Sequence, residues 1–356
     1  MKKLLALFVL LPVLLFAQNT DWYTKNPNAD VFEISTADEL RGLASLVNSP
    51  IPTTFAGKTI ALAKDIDLGG VNFAPIGNNS TTNSFRGVFD GQGYTISGLS
   101  VSGVQYAGLF GYVGADGQIK NVNVVASEIR ANTTGANIAG GLAAYYGSTQ
   151  TIENSSIQAN SVIASGSYSS YSGGLVGYAS SALTIANSYA SGNVSATGYN
   201  SYSGGIFGRY ASGTITSVYY RSEGASQPAG TGSPSGITAL AGTNMMKKAF
   251  FVNWDFDGVW GIVENVTYPF LRFYTPLNDV EAEYIHDQTY TGKQIKPNPA
   301  IKLKTNGMVL TNGEHYDLSY GENINAGTGT ITLTGKDIYS GLLENITFNI
   351  IPKKVY

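Results

Sequence analysis

Between residues 104 and 221 the same order of apolar and small residues returns four times: "AGLFGYV" at 107, "GGLAAYY" at 140, "GGLVGYA" at 173 and "GGIFGRY" at 204. The glycine in the second place of each phrase is Gly108, Gly141, Gly174 and Gly205, so the steps are 33, 33 and 31 residues. About ten residues further on comes a second strand-like phrase, "QIKNVNVV", "TIENSSIQ", "TIANSYAS" and "TITSVYYR", with Ile119, Ile152, Ile185 and Ile215 in equivalent places. A period of about 20 to 50 residues with recurring apolar positions marks a solenoid, in which each unit buries its apolar side against its neighbours. The units read strand, turn, strand, and the fold class they predict is all-β, a right-handed parallel β-helix. Stacked coils set equivalent strands about 4.8 Å apart. The four isoleucines then form one inward ladder, and Leu109, Leu142, Leu175 and Ile206 form another. Asn121, Asn154 and Asn187, with Ser217 in the fourth place, are expected to stack at a bend, because asparagine tolerates unusual backbone angles and can hydrogen-bond to its copies. The glycines are expected to serve sharp turns. The second copy carries Ala143 and Ala144 where the others have a larger apolar residue and a glycine, and it is expected to stack less regularly.

The flanks are different in texture. Upstream, Ser35 or Thr36 can cap a helix with Asp38 or Glu39 closing the box, and Leu40, Leu43, Leu46 and Val47 lie on one side of it. Such a helix would cover the open first coil, whose unpaired backbone groups need shielding. "FDGQGYTI", Phe89 to Ile96, reads as a turn followed by the strand of an early coil. Downstream, "SEGASQPAGTGSPSG" from Ser222 to Gly236 is poor in apolar residues and reads as a flexible surface segment. From about Asn278 charge returns, and short alternating strands between Gly, Asn and Pro turns predict a small β-sandwich. The closing "KKVY" reads as the first strand of a further module.

Taken together, the four G-L-apolar-G phrases resemble the GLUG repeats of bacterial surface proteins. The preceding "FEISTADELRGLASLVN" and "FRGVFDGQGYTISGLSV", and the following "MMKKAFFVNWDFDGVWGIVENVTYPFLR", are similar to the segments that flank such repeats, so the resemblance spans Val31 to Phe273. Val280 to Lys353 resembles the Ig-like modules found in tandem on secreted bacterial proteins. The chain therefore divides into a signal peptide (1–17), an N-terminal cap with the first coils (18–103), the GLUG-type repeats (104–221), a flexible and closing segment (222–276), and an Ig-like module (277–356).

The signal peptide is read from "MKKLLALFVLLPVLLFAQ": two lysines, an apolar run from Leu4 to Phe16, and Ala17 at a cleavage point. The run is shorter than the roughly 20 residues of a membrane-spanning helix, and no later stretch comes near that length. Export to the surface or exterior of a bacterium follows. The chain has no cysteine, which excludes a disulfide scaffold, a thiolate metal site, a cysteine nucleophile and a lipidated cysteine at the cleavage point. A net charge of −3 and a pI near 5.5 argue against nucleic acid as a partner.

Many β-helices act on polysaccharides, so catalysis has to be weighed. From Asn154 to Gly208 there is no Asp, Glu, Lys, Arg or His, and the middle of the solenoid lacks any group for acid–base work near neutral pH. His286 and His315 fall in the last module and read as ordinary surface residues. Asp65 with Asp67, and Asp255 with Asp257, are spaced by two, which puts each pair on one side of a strand where it can hold calcium or serve as acid and nucleophile. The plainer expectation is that they satisfy turn amides, and no cofactor is expected. Tyrosines remain. Tyr168 with Tyr199, and Tyr171 with Tyr202, match one repeat apart and would make a rigid amphipathic strip suited to a sugar or protein surface. The sequence thus predicts an exported, non-enzymatic adhesion protein binding a polysaccharide or a cell-surface protein. The alternatives are a polysaccharide lyase or glycosidase built around Asp65, Asp67 and Asp90, and a stalk displaying another domain.

Overall fold

The computed structural model describes residues 18–78, 81–147, 150–272, 280–303, 309–313, 316–336 and 343–353. The expected leader, His315 and the last three residues lie outside them. Val31 to Leu240 winds as a parallel β-solenoid of about six turns. The isoleucine ladder holds and is longer than the repeat suggested. Its rungs are Phe32, Ile60, Phe89, Ile119, Ile152, Ile185 and Ile215, each directly in register with the next. All but Ile215, which is half-buried, are fully or almost fully buried. The second ladder is also present: Leu109, Leu142, Leu175 and Ile206 are fully buried, and the amides of Leu142 and Leu175 donate to the carbonyls of Leu175 and Ile206 at 3.0 and 3.1 Å.

Each full coil has four faces. The first is made by Val31–Ile34, Thr59–Leu62, Val88–Asp90, Gln118–Lys120 and Gln150–Glu153, and is continued by residues 183–186 and 213–216. The second runs through Ile66–Asp67, Thr95–Val104, Asn123–Ala131 and Ser156–Ser165. The third is the four-stranded sheet of Tyr106–Ala107, Asn137–Gly140, Ser169–Gly173 and Asn200–Gly204. The fourth holds Phe110–Val113, Ala143–Tyr146, residues 176–179 and 207–210, and Ala229–Thr231.

Asparagine does mark the bend between the first two faces. Asn121, Asn154, Asn187 and Ser217 adopt φ of 53°, 45°, 46° and 52°, the left-handed region that asparagine enters more cheaply than most residues. The Asn154 carboxamide donates to that of Asn121 at 3.3 Å, and Asn121 donates to the Asp90 carboxylate at 3.1 Å.

Two expectations need correction and one needs refining. Gly108, Gly141, Gly174 and Gly205 do stand at the bends between the third and fourth faces, but none has a positive φ, so space and not a left-handed backbone requires glycine there. A Cβ on Gly141 would stand 2.2 Å from the Gly174 carbonyl oxygen, and one on Gly174 would stand 2.0 Å from that of Gly205. On Gly108 it would lie 2.6 Å from the Gly140 oxygen, and on Gly205 2.1 Å from the Tyr220 ring. Gly108, Gly141 and Gly174 are glycine because backbones touch there, and Gly205 because the Tyr220 ring packs onto it. Secondly, the alanine-bearing copy stacks in full register, Ala143 facing Phe110 on one side and Val176 on the other, since Ala143 and Ala144 still fit inside. Thirdly, residues 222–236 are not a loose surface segment. Ala229–Thr231 pairs with the fourth face and Ile237–Leu240 with residues 218–221, while the amides of Gly205 and Ile206 donate to Gln227 and Pro228. The stretch is a last partial coil held by main-chain bonds, which an apolar count cannot register.

The helix Ala37–Asn48 follows the first strand. Thr36 and Glu39 close the capping box reciprocally, and Leu40, Leu43 and Val47 are buried in the same cluster as the ladders. Leu46 is half-buried at its rim. Beyond the last coil, residues 241–271 pack Met245, Phe251, Trp254, Phe256 and Trp260 around Tyr189 and Tyr219. The Tyr189 hydroxyl donates to the Pro269 carbonyl at 2.6 Å and accepts from Gln158 at 2.9 Å. Burial raises the ionisation of Tyr146 and Tyr189 well above the phenol value of 10. Their protonated state thus contributes stability that is fully present below pH 10 and is lost as the pH climbs above it, because only the unfolded chain can then ionise. Melts taken from about pH 8 to 11 should show a falling midpoint above about pH 10. A midpoint flat to pH 11 would contradict the burial of these two hydroxyls.

The C-terminal residues form two small sheets. Val280–Ala282, Ile301–Leu303 and Val309–Leu310 make one, and Gln288–Thr289, Leu343–Ile351, Gly327–Gly335 and Tyr316–Tyr320 make the other. Their cores are Val280, Ile301, Leu310, Tyr316 and Leu333, and Ile331, Phe348 and Ile350. Among the described residues no helix is long and apolar enough to cross a membrane.

Candidate binding surface

The outward side chains of the third and fourth faces meet at one corner. Along the third face alternation sends Ser170 and Ser172 inward, fully buried, and Tyr171 outward. Register then aligns Tyr106, Ile138, Tyr171 and Tyr202 in one column. Tyr171 and Tyr202 stack at 5.3 Å with their planes 13° apart. On the fourth face Tyr112, Tyr145, Tyr178 and Arg209 align in a second column. Tyr112 and Tyr145 stack at 4.6 Å, Tyr145 and Tyr178 at 5.1 Å, and the Arg209 guanidinium lies 4.9 Å from the centre of the Tyr178 ring. Edge-to-face contacts join the columns across the corner, Tyr106 to Tyr145 at 6.1 Å and Tyr171 to Tyr178 at 5.2 Å.

The coil spacing of about 4.8 Å lies within the range in which parallel aromatic rings attract. A ring inside a column has both faces covered, so the columns present ring edges and phenol hydroxyls. Burial raises the ionisation of Tyr106, Tyr112 and Tyr178, with Tyr145 adding to all three and Arg209 partly opposing the rise at Tyr178. All three remain protonated at neutral pH, able to donate and to accept. Beside them Tyr168 and Tyr199, which directly precede the paired residues Ser169 and Asn200, are 67% and 87% exposed. They carry the freest rings of the region.

The four tyrosines singled out from the opening repeat are thus on one surface, with unlike roles: Tyr171 and Tyr202 belong to the stack, and Tyr168 and Tyr199 stand out from it. The pairing of repeats missed Tyr106, Tyr112, Tyr145, Tyr178 and Arg209. The signal was present, since Tyr112, Tyr145, Tyr178 and Arg209 each hold the sixth place of their glycine phrase.

The aspartates have other occupations. The Asp67 carboxylate accepts from the Gly69 amide at 2.8 Å, and Asp65 accepts from the Thr95 amide of the next coil at 2.7 Å. Asp90 is nearly buried and is held by Lys120 at 3.1 Å, Asn121 and the Gln92 amide. Asp255 accepts from the amides of Asp257 and Gly258, and Asp257 faces Lys248 at 3.8 Å. Among the described residues no three His, Asp or Glu side chains gather as a metal site. His286 is exposed, its ring edge-on to Tyr284 at 5.2 Å.

No protein-family profile matches the chain. Over 122 residues, 31% of its length, it is 36% identical to halomucin of Haloquadratum walsbyi. Over 81 residues, 20% of its length, it is 36% identical to a protein of Evansella cellulosilytica named as a candidate Gly-rich membrane protein. The chain spans 1% and 9% of the length of these two relatives. Among solved structures, a candidate immunoglobulin A1 protease from Bacteroides ovatus aligns over 68% of this chain and 92% of its own, with 18% identity and a TM-score of 0.43.

Proposed function

We propose that the protein is exported and works outside the cell as a non-catalytic adhesion protein, with the tyrosine corner as its contact surface for a polysaccharide. In this reading the solenoid is of the GLUG type, the helix Ala37–Asn48 covers its first coil, and the C-terminal sheets are an Ig-like spacer. The observation that carries it is the joining of two tyrosine columns into one outward surface, with Tyr168 and Tyr199 exposed beside it. Rings held in register by the backbone lose little freedom on binding, and hydroxyl and amide groups nearby supply adaptable hydrogen bonds. The aspartates that a polysaccharide-cleaving reading would use are engaged by turn amides, Lys120 and Asn121.

The test is retention on insoluble cellulose, chitin, mucin and plant wall. Tyr168→Ser with Tyr199→Ser, and separately Tyr171→Ser with Tyr202→Ser, should leave the melting midpoint within a few degrees, because side chains at the surface contribute little to stability. Retention on the polymer that wild type binds should fall at least about tenfold in the first pair, since aromatic anchors dominate such contacts. Unchanged retention by both folded pairs would rule out the corner as the contact surface.

A further inference from the structure

The coil before Tyr106 has no strand in the third face, and the gap is a cleft. Between Asn72, which bridges to Ser100, and Ile76, which bridges to Phe110, the chain crosses directly from the second face to the fourth. The next coil takes the longer way between the same two places, through Tyr106–Ala107. Tyr106–Ala107 is therefore the edge strand of the third face, paired with Asn137–Gly140 on one side only. Where the rung before Tyr106 would stand there is a cavity of about 380 Å³, lined by Asn48, Pro75, Asn78, Gln105, Tyr106 and Thr133 among others.

Three properties of this cleft define a ligand. Its volume lies within the range of small-molecule sites and suits one or two sugar rings. Among the described residues lining it none is charged, so they offer nothing to neutralise a uronate or an amine. It also combines an aromatic wall with an orphaned acceptor. Tyr106 begins its column and has Ile138 on one side only, whereas tyrosines within the columns have neighbours on both. Asn48, one of the lining residues, donates through Nδ2 to the Pro75 carbonyl at 2.8 Å, while its Oδ1 is buried without a hydrogen-bond partner; this is costly, and a small turn of the carboxamide toward the cleft would let a ligand hydroxyl satisfy it.

We infer that this cleft is a binding subsite for a neutral pyranose unit, packed against Tyr106 and hydrogen-bonded to Asn48. The inference rests on the tyrosine corner being a polysaccharide-contacting surface, since Tyr106 touches Tyr145 and so continues it. The cleft would seat a chain end, or a branch, of the polymer that lies along the columns.

The test uses the full chain and soluble cellobiose, maltose, lactose and diacetylchitobiose, with digalacturonate as the charged comparison and indole as an apolar one, read by saturation-transfer NMR and calorimetry. Tyr106→Ile is the variant of choice because Ile138 already occupies the same place one coil on, and Asn48→Ala is the second. Expected are binding of at least one neutral disaccharide and loss of at least about tenfold in affinity in each variant. Tyr168→Ser with Tyr199→Ser should leave disaccharide affinity unchanged while reducing polymer retention. Several results would overturn the subsite: no binding of any neutral disaccharide, binding indifferent to both Tyr106→Ile and Asn48→Ala, or preference for digalacturonate or indole. Failure of the corner itself reads out differently, as polymer retention indifferent to the Tyr168 and Tyr199 changes.

Discussion

Ile152→Asp should lower stability by about 4 kcal/mol or more, the scale for a charge buried without a partner. Ile152 is completely buried and lies in register between Ile119 and Ile185, so the carboxylate would find aliphatic carbon on both sides. The substitution also falls in the middle of the stack. In a solenoid each coil is stabilised by the two beside it, and a damaged coil loosens its neighbours along with itself. For a domain of this size, about 1 kcal/mol corresponds to roughly 2–4 °C, so the midpoint should fall by about 10 °C or more. The internal control is Ile215→Asp, on the half-buried last rung of the same ladder, which should cost clearly less. If Ile152→Asp melts within about 2 °C of wild type, the ladder is not the interior of the molecule.

Gly174→Val is expected to be about as damaging, roughly 3 kcal/mol or more, for a reason that involves no polarity. The added Cβ would lie 2.0 Å from the Gly205 carbonyl oxygen and 2.7 Å from the Ala190 side chain. To make room, two coils must separate, stretching the bonds from the Gly174 amide to the Gly204 carbonyl, 3.2 Å, and from the Leu175 amide to the Ile206 carbonyl, 3.1 Å. Gly174→Ala should already be harmful, because the clash begins at Cβ. Gly135→Ala, where a Cβ would meet nothing within 4 Å, should be close to neutral. Thermal melts of the three variants decide the matter. A Gly174→Ala protein that melts like Gly135→Ala would show that close backbone contact is not why glycine stands there.

The repeat was legible where one residue type recurs in one place. The isoleucine ladder and the asparagine bend could be read because Ile119, Ile152 and Ile185, and Asn121, Asn154 and Asn187, keep both identity and a 33-residue step. The ladder also runs through Phe32, Ile60 and Phe89. Those rungs escaped notice because an inward position asks only for apolar bulk, and because loops can lengthen or shorten a coil without moving its rungs. The last coil was misread for a related reason. Gln227 and Pro228 join the stack through their carbonyls, a contribution that any residue can make and that leaves no trace in composition. The glycines were placed correctly at the bends, but a sequence shows only that a side chain is missing and not whether space or dihedral angle forbids it. Of the surface, the repeat revealed Tyr168, Tyr171, Tyr199 and Tyr202. The cleft beside Tyr106 depends on a shortcut between Asn72 and Ile76 that has no counterpart among the repeats.

The tyrosine columns are spaced by the backbone, and this separates their pitch from their extent. Pitch is a constant of main-chain hydrogen bonding, the same for any solenoid of this kind. Extent is simply the number of coils that carry a tyrosine in the outward place. Here the fourth-face column passes from Tyr112 through Tyr145 and Tyr178 and ends where Arg209 caps the last ring. Duplication of a unit would lengthen such a surface by one ring while leaving every existing ring where it was. With the corner as the contact surface proposed above, sequence change would tune avidity by copying whole repeats, without having to invent a new contact at each step.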